Sequence, residues 1–139
     1  MRFDRKPVRT AIPVIDRQHD QYFDAVEYLF DMYERAEVIP DKVLGILNNI
    51  QEYAQDNFDT EERFMENEGY PGLDHHRAKH DTFKSSIDGF MEDFANTSNL
   101  AKIIEDLRQL LVSWFVDQIK TDDMALAEFL KKKGYGSRS

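Results

Sequence analysis

Cysteine is absent from the chain. Disulfides, thiolate metal ligands and cysteine nucleophiles are therefore excluded, and any bound metal has to be held by nitrogen and oxygen. Long apolar runs are missing too. Nothing approaches the roughly 18 consecutive apolar residues of a membrane span, and residues 1–10 are charged instead of carrying the apolar stretch of a secretory leader. A cytoplasmic location is the expectation. Basic residues are outnumbered, with 18 Lys and Arg against 27 Asp and Glu and a formal net charge of −9. A surface so poor in cations does not suit nucleic acid or an anionic membrane as a partner. The one basic cluster, Lys131 to Lys133, falls where the last helix should end, and cations there suit the helix dipole. Proline and glycine are scarce, 4 and 6 among 139 residues, so little interrupts long helices.

Apolar residues make up 41% of the chain and charged ones 32%, the balance of a folded helical domain and not of a disordered segment. The length suits a single domain over residues 1–139. Period and punctuation predict four helices, at about Ile15–Glu37, Asp41–Asn67, Asp74–Ala95 and Leu100–Lys132. Val38-Ile39-Pro40, Gly69-Tyr70-Pro71-Gly72 and Asn96-Thr97-Ser98-Asn99 separate them. Connections this short make consecutive helices antiparallel neighbours, so the expected fold is all-α: an up-down-up-down antiparallel four-helix bundle behind an extended N-terminal arm.

Writing out each core-facing stripe exposes residues that do not belong in an apolar interior. The third helix gives Leu73, His76, His80, Phe83, Ile87, Phe90 and Phe94, in steps of three and four, while His75 falls off the line toward water. The first gives Ile15, His19, Tyr22, Val26, Leu29 and Tyr33. The second runs Val43, Leu47, Ile50, Ala54, Asn57, Glu61 and Phe64, and the fourth runs Leu100, Ile103, Leu107, Leu111 and Trp114 to Gln118, with Asp123 five positions on. In antiparallel neighbours His19, Asn57, Glu61, His76, His80 and Gln118 all lie at one end of the bundle.

A buried polar side chain without a partner costs about 1–3 kcal/mol, and an unpaired carboxylate costs more, so this convergence needs a common cause. Residues i and i+4 differ by about 40° in azimuth and about 6 Å in rise, so His76 with His80, and Asn57 with Glu61, can approach one site from a single helix face. Imidazole and carboxylate suit iron, manganese or zinc. Gln118 and Asp123 sit about 140° apart on an ideal α-helix. The stripe beyond them, Ile119, Asp123, Leu126 and Leu130, is shifted by one residue, which predicts a π-bulge between Gln118 and Asp123. The bland readings stand beside these: His76 and His80 as hydrogen-bonded core histidines, Glu61 paired with Arg63 or Arg77 at the surface, and the aromatic stripe as plain packing.

These residues resemble the signature of the hemerythrins, non-haem di-iron oxygen-binding bundles, and in particular the bacterial branch. Ile15-Asp16-Arg17-Gln18-His19 is similar to the first-helix ligand motif, and Phe58-Asp59-Thr60-Glu61-Glu62-Arg63-Phe64-Met65 to the segment with the bridging glutamate. Tyr70-Pro71 with His76, His80 and Phe83 is similar to the third-helix motif, and Trp114-Phe115 with Ile119 and Asp123 to the fourth. The resemblance implies two iron ions bridged by Glu61 and Asp123, with His76 and His80 on the first and His19 on the second. It also marks two departures: Asn57 and Gln118 stand where the family pattern has histidine, so each ion loses one imidazole for an amide, a weaker donor toward iron.

The resemblance implies a protein that binds, stores or senses dioxygen or a related small ligand and is not an enzyme. Two alternatives stay open: a degenerate signalling or interaction module with a metal-poor, mononuclear or metal-free site, and a di-metal oxidase or peroxidase. Ferritin-like oxidases use paired Glu-x-x-His motifs, and no Glu stands three residues before any histidine of this chain.

Overall fold

The computed structural model describes residues 2–37, 39–96 and 99–136. Helix α1 spans Pro13–Glu34, α2 Pro40–Glu68 and α3 Leu73–Asn96, while α4 runs continuously over residues 100–132; no strand occurs among the described residues. The chain is a four-helix bundle. The expected boundaries hold to within three residues, and the differences have local causes. Pro13 and Pro40 open α1 and α2 instead of preceding them, because proline lacks only an N–H that the first turn leaves unbonded anyway. Of the expected connections, Val38, Thr97 and Ser98 lie outside the described residues.

Gly69 ends α2 with φ 65°, a left-handed conformation that costs glycine nothing, and its N–H bonds Met65 O. Asn99 opens α4, its side chain accepting the N–H of Lys102. No helix of the described residues is long and apolar enough to cross a membrane.

The N-terminal arm, expected to be extended, instead carries a 3-10 turn at Lys6–Val8 and a left-handed bend at Ala11, φ 65°. It is fastened to α1 along its length. The Phe3 ring stacks on Phe23 at 4.7 Å, and the Phe3 N–H donates to the buried Glu27 at 2.7 Å. Arg5 binds Asp20 at 3.2 Å and Asp24 at 2.7 Å and also reaches Glu27, so the Glu27 charge is buried with its counter-ion. Nearer the helix start, Asp16 accepts the Thr10 and Ala11 main-chain N–H groups at 2.8 and 3.1 Å. That grip holds the first turn of α1, one turn before His19.

The fourth helix departs from α geometry twice. The expected π segment is present at Ile119–Asp123, where the Met124 N–H bonds Ile119 O and Thr121 O in place of the carbonyl four residues back. A second, unexpected one occupies Gln109–Trp114. There the Phe115 N–H bonds Val112 O, and Leu111 O instead accepts the Tyr22 hydroxyl of α1 at 2.6 Å. The widened turn rotates Phe115 inward and Trp114 partly outward, which corrects the expected stripe. Tyr33, Phe64, Leu73, Phe90 and Leu100 also sit at the margin and not in the buried centre, while Met65 is fully buried.

Phe115 anchors an aromatic layer directly beside the polar cluster. Its ring stacks on Tyr22 at 3.7 Å, meets Phe83 at 5.5 Å and Phe23 at 5.9 Å, and presents an edge to His19 at 6.0 Å. Phe115→Ala should therefore lower the unfolding free energy by about 3–5 kcal/mol, the usual cost of emptying a buried phenylalanine site. In urea denaturation, Trp114→Ala should cost markedly less, and equal losses would place Trp114 in the core after all.

Candidate metal centre

Each helix contributes to one buried cluster: His19 from α1, Glu61 from α2, His76 and His80 from α3, Asp123 from α4. Asn57 of α2 and Gln118 of α4, the two amides of the candidate set, are buried on the same helices. All seven are at most 3% exposed. Every residue singled out from the sequence as a candidate ligand is thus inside, and Glu61 is not a surface partner of Arg63 or Arg77. His75, off the stripe, is exposed and lies 3.4 Å from Asp122.

The two carboxylates divide their oxygens between two groups of imidazoles. Glu61 Oε1 lies 3.1 Å from both His76 Nε2 and His80 Nε2, and Asp123 Oδ1 lies 2.8 Å from His76 Nε2. The other oxygens, Glu61 Oε2 and Asp123 Oδ2, lie 3.5 and 3.1 Å from His19 Nε2. One donor atom each from Glu61, His76, His80 and Asp123 falls within a mutual 4.8 Å, close enough to converge on a single ion.

Hydrogen bonding does not account for this arrangement. Both His19 nitrogens, Glu61 Oε2, Asp123 Oδ1, Asn57 Oδ1 and both amide atoms of Gln118 are buried without a properly aligned hydrogen-bond partner. So many unsatisfied buried polar atoms would each cost about 1–3 kcal/mol. His80 adds a sharper point. Its Nδ1 lies 2.9 Å from Glu62 Oε2, a carboxylate that can only accept, so Nδ1 carries the hydrogen and a neutral ring turns the Nε2 lone pair toward Glu61 Oε1. In that neutral form two acceptors would face each other at the contact, and either a proton on Nε2 or a bound cation resolves it. The donor set, three imidazoles and two carboxylates, is one that iron, manganese or zinc accepts.

Neighbours that sequence periodicity did not single out hold these donors. Glu62, which anchors His80, is itself bound by Arg77 Nε at 3.0 Å, and Arg77 also pairs with Glu66. This carboxylate–histidine arrangement fixes the ring and raises its basicity as a ligand. Phe58 stacks on the His80 ring at 3.9 Å. Gln18 Nε2 donates to Thr60 Oγ1 at 2.9 Å, and Gln18 Oε1 accepts from Asn57 Nδ2 at 3.3 Å. The only sequence signal for these partners is adjacency, Gln18 beside His19 and Glu62 beside Glu61.

Electrostatics tie the cluster together. Burial pulls the His19 and His76 imidazoles down, but Asp123 and Glu61 outweigh it and raise them to about 9 and about 10. Burial pushes the Glu61 carboxyl up, yet His19, His76 and His80 hold it well below the usual carboxylate range.

Comparison with known proteins agrees with the geometry. Residues 10–130 match the Hemerythrin HHE cation binding domain. The chain belongs to the hemerythrin family. It is 27% identical over 124 residues to a bacteriohemerythrin of Stenotrophomonas maltophilia, covering 87% of this chain and 76% of that protein. A bacteriohemerythrin of Clostridium acetobutylicum is 24% identical over 116 residues, covering 81% and 88%. One of Pseudomonas aeruginosa is 24% identical over 137 residues, covering 93% and 86%. Hemerythrins are di-metal oxygen carriers and sensors and not enzymes, which sets this chain apart from the di-metal oxidases.

Raised imidazole pKa values have a measurable consequence for metal uptake by this hemerythrin. At pH 7.5 His19 and His76 are protonated in the metal-free protein, because both values lie above that pH. A ligating imidazole must be unprotonated, so each proton has to leave when an ion enters, and affinity should rise with pH until about 9 to 10. Calorimetric titration of metal-free protein with Zn(II) in buffers of different ionisation heat should show about two protons released per chain. A heat independent of the buffer would mean that these imidazoles are neutral before metal arrives.

Proposed function

We propose that the chain holds a pair of metal ions, iron in keeping with its family, between His19, Glu61, His76, His80 and Asp123, and that it stores, carries or senses dioxygen or a related small ligand in the cytoplasm. The observation that carries this reading is the division of Glu61 and Asp123, each of which turns one oxygen toward His76 and the other toward His19. A carboxylate set between two groups of imidazoles is arranged to serve two cations at once. Asn57 and Gln118 offer amide oxygens where the family pattern has imidazole.

Bound iron would supply the redox-active ion and an open coordination position at which a small ligand can bind. This chain's residues supply the remainder. Glu61 and Asp123 offset the charge of the ions, Glu62 and Phe58 fix the His80 ring, and the Tyr22, Phe83 and Phe115 layer keeps water from the bundle side of the site. A dry, low-dielectric pocket favours a neutral diatomic ligand over charged competitors.

One observation favours a second reading. His19 and His76 already lie against Glu61 and Asp123, so the same side chains hold four helices together without an ion, as a metal-poor signalling or interaction module requires. Metal analysis of the purified protein separates the two: the first reading expects about two irons per chain and a visible charge-transfer band that appears and fades as oxygen is admitted and removed. Protein that refuses anaerobic Fe(II) favours the second. Asn57→His combined with Gln118→His should raise iron retention and lengthen the life of the oxygen adduct. Failure of the double variant to improve either would count against placing these residues at the ions.

A further inference from the structure

We infer that divalent cations reach the buried cluster through the cleft outside α1 and α2, and that the Gln18 side chain is the door between that cleft and the donors. The inference rests on the metal reading proposed above and concerns how an ion gets in.

His19, Glu61, His76, His80 and Asp123 are at most 2% exposed, so an ion enters only where part of the wall gives way. Along the bundle axis both walls are apolar. On one side Ile15, Met65 and Leu126 stand about one turn from His19, Glu61 and Asp123 and are fully buried. On the other lie the rings of Tyr22, Phe83 and Phe115. Shedding water into an apolar layer is costly for an ion, so neither wall is a path. Between α1 and α4 the N-terminal arm is in the way, its Lys6–Val8 turn packed on Ile119–Asp123.

The α1–α2 side is different. A cleft of about 560 Å³ opens there, lined by Gln18 of α1 and by residues of α2 between Asp56 and Glu66. Its wall is the back of the donor set: Gln18 precedes His19, Thr60 precedes Glu61, and Glu62 Oε2 lies 2.9 Å from His80 Nδ1. One half-buried side chain closes the gap between the helices. Gln18 Nε2 meets Thr60 Oγ1 at 2.9 Å, and Gln18 Oε1 accepts from Asn57 Nδ2 at 3.3 Å. Behind it Asn57 is fully buried, with Oδ1 lacking a hydrogen-bond partner. An unbranched side chain swings aside by turning its own torsions, whereas opening either apolar layer means parting helices.

Charge favours the same side. The cleft's four carboxylates, Asp56, Asp59, Glu62 and Glu66, are met by Arg63 and, from α3, by Arg77, which pairs with Glu62 and Glu66. The balance is negative and draws cations in. On the α3–α4 side Asp122 faces Lys79 and His75, which leaves little charge to attract an ion. Past the carboxylates, the oxygens of Gln18, Thr60 and Asn57 can replace water on a hard cation one at a time.

Stopped-flow mixing of metal-free full-length protein with Co(II), followed by visible absorption, tests this. Asp56→Lys combined with Asp59→Lys, both at exposed positions, should slow uptake ~10-fold at low salt and far less at about 1 M salt, where the screening length falls to ~3 Å. The Co(II) bound at the end should equal that of the unaltered protein, which shows that the variant has folded. Gln18→Ala should raise the uptake and release rates together by ~10-fold, so that affinity changes little. A side chain that only steadied Asn57 would alter release alone. Lys79→Glu, on the α3–α4 side, should leave uptake unchanged. If Lys79→Glu speeds uptake and the Asp56 and Asp59 pair does not slow it, or if Gln18→Ala changes release without uptake, the inference is overturned and the metal reading stands. Protein that binds no metal at any concentration overturns both.

Discussion

Two carboxylates removed from water set the terms for the rest of this molecule. Glu61 is fully buried and Asp123 nearly so, and the effective cost of burying such a charge is several kcal/mol unless cations meet it. The imidazoles that meet them come from two helices. His19 approaches from α1, while His76 and His80 approach from α3, and the carboxylates themselves belong to α2 and α4. Every helix thus has an electrostatic reason to sit where it does, at the same end of the bundle. The opposite end is closed by aliphatic side chains such as Leu47, Ile50 and Leu107, whose burial is favourable but non-directional. Apolar packing gives the bundle its stability, whereas the charged cluster fixes the relative height and rotation of the helices.

The fourth helix shows what that constraint does to the backbone. Gln118 and Asp123 are both buried, yet five residues on an α-helix point about 140° apart. The π segment at Ile119–Asp123 reconciles them by widening one turn. Upstream, the segment at Gln109–Trp114 turns Phe115 into the space between Tyr22 and Phe83, and the Tyr22 hydroxyl takes up Leu111 O. Each departure from α geometry is matched by a buried side chain or a hydrogen bond that an ideal helix would misplace. π segments recur where a helix has to serve a site.

Sequence pattern revealed some of this and concealed the rest for identifiable reasons. His76 and His80 declare themselves because the step between them coincides with an apolar stripe, and His19 and Glu61 do so for the same reason. The one-residue slip after Gln118 was legible because Ile119, Asp123, Leu126 and Leu130 follow one another in steps of three and four that do not continue the Trp114–Gln118 line. The earlier slip was hidden because Trp114 and Phe115 are both large aromatics, and periodicity cannot choose between adjacent residues of one kind. Glu62, Gln18 and Asp16 look like ordinary polar residues, since a pattern of faces reveals which side chains turn inward but not which ones reach around to hold them. Only the folded chain brings Glu62 to His80, 18 residues away, or Gln18 to Asn57, 39 residues away.

The amides at positions 57 and 118 bear on whether the site still has work to do. Had ion binding been abandoned, apolar side chains of similar size would fill those positions at lower cost, because well-packed hydrophobic replacements of buried polar groups are often neutral or stabilising. Buried amide atoms without partners are instead destabilising by about 1–3 kcal/mol each. Gln118 leaves both its amide atoms unpartnered, and Asn57 leaves its oxygen so. Gln18, moreover, takes up the Asn57 nitrogen and leaves its oxygen buried without a donor. An oxygen buried at such cost, one turn from a carboxylate already shared among three histidines, makes chemical sense if a cation binds beside it.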